Sequence, residues 1–206
     1  METELPIIAN VSRVVTKVVD RITGDRADYP LMVAAACSEA LKKFQIESRI
    51  MYGPAAWLEV LEDHSLVWAG CWGENFSFWV ATQFGEVVDL NTSVAYRKRS
   101  HMQPNLKALY SPPILWSKEV PQFYRYSPEG VAELELTEEQ DRKQFEQVLA
   151  EIQGNCGPEH IRADEEPKFL NEPILCPGRK ILDDSRNGFK HFDRALSVHG
   201  IPAAPF

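Results

Sequence analysis

The side chains of this chain with the widest chemical range are four cysteines, Cys37, Cys71, Cys156 and Cys176, and five histidines, His64, His101, His160, His191 and His199. A thiolate can attack a carbonyl or ligate a metal, and an imidazole can move a proton near neutral pH. Their spacing restricts both roles. No two cysteines form C-x-x-C, so neither a zinc ribbon nor a thioredoxin-like redox pair is indicated. No H-E-x-x-H is present. Cys156-Gly-Pro-Glu-His160 is a lone C-x-x-x-H, too weak a pattern to define a metal centre. The expectation is no metal and no cofactor. Cys37 closes the Ala-rich run Leu31-Met-Val-Ala-Ala-Ala-Cys37 and reads as a small core residue. Cys71, in Trp68-Ala-Gly-Cys71-Trp-Gly73, lies near strand ends and reads as the more accessible thiol.

Such groups act only where the chain positions them. From Leu5 to Ile22 the apolar residues recur at helical spacing on one face. Pro6 suits a first turn and Gly24 a C-terminal cap. Pro30 opens a second helix, which begins between Tyr29 and Met32 and is apolar on all sides as far as Cys37, as a buried central helix is. It ends near Lys42 and Lys43, whose charges suit the helix dipole. The period then changes to two. Ile46, Ser48, Ile50 and Tyr52 alternate with polar or exposed positions, as in a half-buried strand. Ala55 to Leu61, Ser65 to Trp72, Phe76 to Thr82 and Glu86 to Leu90 are further strand candidates, the last three rich in Val, Trp and Phe. The last two are joined by Gln83-Phe84-Gly85, a three-residue loop with Gly in the left-handed position.

From Asn91 to Gly130 the pattern is irregular, with room for one added strand. This stretch carries the basic run Arg97-Lys98-Arg99, which reads as a solvated loop. It also carries the aromatic segment from Trp116 to Tyr126, read as packing back over the core. Thr137-Glu-Glu-Gln140 is a capping-box pattern. The helix behind it carries Phe145, Val148, Leu149 and Ile152 on one face. The expected fold class is α+β: a buried central helix packed on an antiparallel sheet of about four to six strands. Residues 1–154 form one core domain. Residues 155–206 form a long C-terminal extension that wraps it and includes one short helix.

Two stretches carry a resemblance. Phe44-Gln-Ile-Glu-Ser-Arg-Ile-Met-Tyr-Gly53 resembles the helix-to-strand junction of transglutaminase-like proteins, within the papain-like cysteine-peptidase fold, where Leu-Gly-Ile-Pro-Ala-Arg precedes a strand. Ser77-Phe-Trp-Val80, followed by Gly85-Glu-Val-Val-Asp89, resembles the family's His-x-Trp-Val…Gly-x-x-x-Asp hairpin. The resemblance covers residues 28 to 91. It implies a papain-like, transglutaminase-like fold whose chemistry is acyl transfer: a Cys at the head of the buried helix, a His as base, an Asp to orient it. Carried over residue by residue, the nucleophile position falls near Pro30, at Tyr29, Pro30 or Leu31, none of them Cys or Ser, and the base position falls at Ser77. Only Asp89 keeps the family's residue. A hydroxyl at position 77 cannot exchange a proton near neutral pH, so the resemblance implies a scaffold that has lost its triad.

Three functions are weighed. The first is a non-catalytic member of this fold that binds a small ligand or a protein through the former active-site cleft. The second is a thiol hydrolase or acyltransferase with a displaced nucleophile, Cys37 or Cys71. The third is a structural or dimeric interaction protein that uses the segment from Trp116 to Tyr126. Asp89 also has a simpler reading, a carboxylate that caps a turn at a strand end. Composition narrows the partners. The formal net charge of −8 disfavours general nucleic-acid binding and anionic membrane surfaces. The longest apolar run, Leu31–Cys37, is far short of the roughly 20 residues that span a bilayer. Met1-Glu2-Thr3-Glu4 has no basic region followed by an apolar block, so the expected location is the cytoplasm, with reduced thiols. A homodimer is the other expected assembly.

Overall fold

In the computed structural model, the described residues are 1–97, 108–134, 138–161, 172–176, 179–182 and 186–206. Lys98, Arg99, His101 and Thr137 lie outside them. The elements in chain order are α1 (Leu5–Thr23), α2 (Pro30–Lys42), β1 (Ser48–Gly53), β2 (Ala55–Leu61), β3 (Leu66–Cys71), β4 (Ser77–Thr82), β5 (Val87–Asp89), β6 (Ala108–Tyr110), β7 (Ile114–Ser117), β8 (Tyr124–Tyr126), β9 (Gly130–Val131), α3 (Glu139–Asn155), β10 (Ile174–Cys176), β11 (Arg179–Leu182) and α4 (Arg186–His199). The class is α+β.

The strands form two sheets rather than one. The larger has seven strands in the order β11-β10-β7-β5-β4-β1-β9; the smaller has β3-β2-β6, with β8 also paired to β2. The expected single antiparallel sheet is corrected in two ways. The strand count is higher, and β10 pairs with β7 in parallel. Both corrections come from chain read as irregular. Residues 91–130 supply β6, β7 and β8, each three or four residues long. A strand that short leaves no detectable period. The C-terminal part is likewise more than a wrapping: β10 and β11 complete one edge of the larger sheet.

Alternation along the strands builds layers. Val80 and Val88 of the larger sheet point to one face, where α1, α2 and α3 bring Val15, Val33, Ala36, Leu41 and Val148 into one core. Trp79 and Leu115 point to the opposite face and meet Trp57 and Tyr124 of the smaller sheet. The far side of the smaller sheet, with Leu58, Val60 and Trp68, is covered by Phe192 and Ala195 of α4. β2, the weaker strand by pattern, is buried along its whole length because it lies between two covered faces.

The helix signals are realised locally. α1 buries one stripe and stops at Gly24, whose φ of +89° no side chain adopts readily. α2 starts at Pro30. α3 starts at Glu139 with Glu138 as its N-cap; the expected capping box turns on Thr137, which lies outside the described residues. Within the aromatic segment Trp116 and Tyr124 are fully buried, Phe123 and Tyr126 are half-buried, and Lys118, Glu119 and Val120 are exposed. Those two rings therefore offer no surface for the expected homodimer.

Candidate functional site

The hairpin β4–β5 sets the register on which the site depends. Val80 pairs with Val88 and Ala81 with Val87. Gly85, at φ +79°, donates its N–H to Thr82 O at 2.9 Å, and Thr82 N–H donates to Glu86 O at 3.0 Å. The loop is Gln83-Phe84-Gly85, as its length and glycine predict. Ser77, Trp79 and Asp89 therefore share one face of the sheet. That face packs on the smaller sheet, whereas α2 packs on the alternate face, against Val80 and Val88. The two sides share one cavity, lined along α2 from Pro30 to Cys37 and, from the sheet and the turn after it, by Phe78, Trp79, Asp89 and Asn91. Its volume is about 10 Å³, room for about one water.

Asp89 is the polar centre of this region. Its Oδ1 accepts the Asn91 N–H at 2.9 Å, which closes the turn after β5. Its Oδ2 accepts the Tyr126 hydroxyl at 2.9 Å. Each carboxylate oxygen thus has one donor. Tyr126 reaches it because β8 lies beside Ala55 and because the chain after it crosses Gly53 at close range. A Cβ on Gly53, at φ +152°, would stand 2.2 Å from Ser127 O. Burial pushes the Asp89 carboxyl up to about 6, opposed by the Asn91 and Tyr126 hydrogen bonds and the Arg26 charge. Burial, together with the Asp89 charge, holds the Tyr126 and Tyr124 phenols well above their ordinary value. The Tyr124 hydroxyl donates to Pro113 O at 2.6 Å. The ring of Tyr126 packs on Trp79 with centroids 5.0 Å apart.

The other sequence candidates are distributed as follows. Pro30 heads α2 with Tyr29 as N-cap. It carries neither a nucleophile nor an N–H. Ser77 is buried opposite Gly53. Cys37 is 1% exposed, and burial, then Cys156 and Asp89, push its thiol far up; no histidine among the described residues acts on it. A thiol so held is not a nucleophile near neutral pH. Cys71 ends β3 opposite Ala55 and is half-buried. Cys156 donates its S–H to Asn10 Oδ1 at 3.1 Å, and burial pushes it up to about 12. Its C-x-x-x-H partner His160 instead lies 3.6 Å from Glu159. Among the described residues no three His, Cys, Asp or Glu side chains group as a metal site. Among the described residues no helix is long and apolar enough to cross a membrane.

Three polar groups that structure makes prominent were not singled out by pattern. Arg26 is fully buried; it donates to Leu90 O and Ser93 Oγ, each at 3.2 Å, and to the carboxylates of Asp20 and Glu172. Glu86, also fully buried, accepts from Thr3 N, Thr3 Oγ1, Thr82 Oγ1 and Trp116 Nε1. Glu59 accepts from Trp57 Nε1 at 3.3 Å, and its other oxygen has no partner among the described residues. The available signal was a charged residue inside an apolar strand pattern, which marks Glu59 and nothing else.

Comparison with known proteins adds little. No family model matches this sequence, and no curated protein matches it. A solved structure of a genomics target is similar at 14% identity with a TM-score of 0.42, covering 82% of this chain and 88% of that one. A likeness at that level carries no argument about fold family or function.

Proposed function

We propose that this chain is a non-catalytic member of the transglutaminase-like, papain-like fold and acts by binding a partner at the rim of the former cleft. The observation that carries the reading is the pairing of Asp89 with a phenol. At the place where the family would hold an imidazole between carboxylate and thiol, Asp89 accepts from Tyr126, and the helix begins at Pro30. A phenol held above its ordinary value neither takes nor gives a proton readily at neutral pH. The cavity itself has room for about one water, which favours a macromolecular partner laid across the rim over a small ligand inside it. The rim offers an apolar ridge. Phe78, which lines the cavity, meets Phe76 edge-on at 6.2 Å, and Phe76 meets Tyr52 at 5.6 Å. Phe76 is 48% exposed, and with Tyr52 and Phe78 beside it the apolar surface is contiguous.

The test restores the missing groups. In Pro30→Cys/Ser77→His, the new thiol should react with iodoacetamide with an apparent pKa at least about one unit lower than in Pro30→Cys alone, as an adjacent imidazole dictates. Equal values in the two variants would remove positions 30 and 77 from a common site. A wild-type thiol that alkylates faster than free cysteine at pH 7 would instead restore a displaced nucleophile.

A further inference from the structure

The far side of the smaller sheet carries a second feature, independent of the cleft. α4 ends at Gly200, whose φ of +69° and N–H bond to Leu196 O, 3.1 Å, turn the chain back across the sheet. The segment that follows reads Ile201-Pro-Ala-Ala-Pro-Phe206. Pro202 and Pro205 stand in P-x-x-P spacing, and three residues per turn put them on one edge of a polyproline II helix. The indole N–H of Trp68 donates to Pro202 O at 3.0 Å. Ala204 packs on the cluster that contains Leu58 and Trp68, and the Phe206 ring lies 6.4 Å from Trp72. Behind Trp68 the Arg125 guanidinium stands 5.5 Å from the ring centre, fixed by bonds to Gln122 O and Tyr124 O. Pro202 is exposed and Pro205 half-buried, so the segment meets the floor through the Pro202 carbonyl, Ala204 and Phe206. An indole donor to the carbonyl of a Pro-spaced segment, beside aromatic rings, is a component of polyproline recognition.

The occupant is lightly held. Among the described residues, the Trp68 bond is the one hydrogen bond made by residues 201–206. Ile201 and Phe206 remain 38% and 44% exposed. The floor, in contrast, is held by β3, with Trp68 inside the strand and Trp72 just past its end, and β3 pairs with β2 along its length. We propose that the Trp68–Trp72 face is a docking site for an extended P-x-x-P segment of another protein, and that residues 201–206 occupy it in cis as a displaceable cover. A tethered cover competes at an effective concentration on the order of millimolar, so it suppresses weak ligands without blocking the site.

The experiment uses full-length protein with the tryptophan indoles isotope-labelled, titrated with the free peptide Gly-Ile-Pro-Ala-Ala-Pro-Phe. In a full-length Pro202→Ala/Pro205→Ala/Phe206→Ser variant, the peptide should bind about tenfold or more tighter than to wild type, because the competing cover is weakened. The shifted resonances should include the indole of Trp68. Adding Trp68→Phe to that variant should abolish binding while the far-UV circular dichroism and melting temperature show an intact fold. No binding to the weakened-cover variant up to several millimolar peptide, on the order of the tethered concentration, would overturn the proposal. So would equal binding of a peptide with both prolines replaced by alanine, or binding that survives Trp68→Phe. A wild-type dimer that Trp68→Phe dissociates would assign the site to residues 201–206 of a second copy and overturn the hetero-partner reading.

Discussion

Two buried glutamates show how differently the two sheets treat charge. Glu86, beside the hairpin of the larger sheet, is surrounded by four donors from Thr3, Thr82 and Trp116. Glu59, in the middle of the smaller sheet, has one donor, and the second oxygen is unpartnered among the described residues. Burial is nearly the same, 0% and 1% exposed. The difference is hydrogen bonding, and it decides which group is structural and which is a liability. Burial pushes Glu59 up from its ordinary 4.5 to about 7, which the single Trp57 bond only partly offsets. Asp89 lies between the two cases, with two donors and a carboxyl pushed up to about 6.

The largest expected effect breaks the satisfied side of this comparison. Glu86→Leu leaves the donors of Thr3, Thr82 and Trp116 without an acceptor and should cost about 3–5 kcal/mol, read from the urea midpoint. It also releases the first residues of the chain, so amide exchange at Thr3 should rise to the unprotected rate.

Next comes the unsatisfied side. Between the unfolded value of Glu59, near 4.5, and the folded value, about 7, the folded chain holds a proton that the unfolded chain has lost. Stability therefore falls as pH rises through that window and is flat above it. The rise corresponds to an upper bound of about 3 kcal/mol. Glu59→Gln should remove that decline and raise stability at pH 8 relative to wild type, with little change at pH 4.5. Some slope remains between about 4 and 6, where Asp89 contributes in the same direction. If wild-type stability rises from pH 5 to pH 7.5, Glu59 is paired and the contrast between the sheets fails.

A smaller effect tests the intermediate case. Tyr126→Phe removes the phenol donor from Asp89 and should cost about 1–3 kcal/mol. It should also raise the Asp89 carboxyl above its wild-type value, so the pH-dependent decline extends to higher pH. The carboxyl carbon resonance of Asp89 followed against pH measures this directly. An unshifted titration would mean that the Tyr126 bond is not what holds Asp89.

The smallest effect separates surface from core. Phe76→Ala, on the exposed ridge, should change stability by no more than about 0.5 kcal/mol while removing the apolar surface assigned to the partner. A loss of several kcal/mol would show that the ridge is a packing element rather than a binding one.

What the sequence determined by itself was mostly local. Helical spacing and Pro30 set α1 and α2 in place, because caps, a fixed proline φ and a continuous apolar face act within a few residues. The register of β4 and β5 followed from Gly85, because a three-residue loop with a left-handed glycine admits one pairing. The absence of Cys or Ser from the head of α2 followed from counting. Tertiary structure alone decided the rest. β6, β7, β8 and β10 are too short to show a period, and become strands because longer neighbours offer them unpaired edges. The pairing of Asp89 with Tyr126 joins residues 37 positions apart. So does the contrast between Glu86 and Glu59: both are glutamates in apolar surroundings, and only the arrival of Thr3 and Trp116 from distant parts of the chain makes one of them satisfied. Hydrogen-bond donors that come from far along the chain leave no mark in local sequence, whereas the cost of lacking them depends on nothing else.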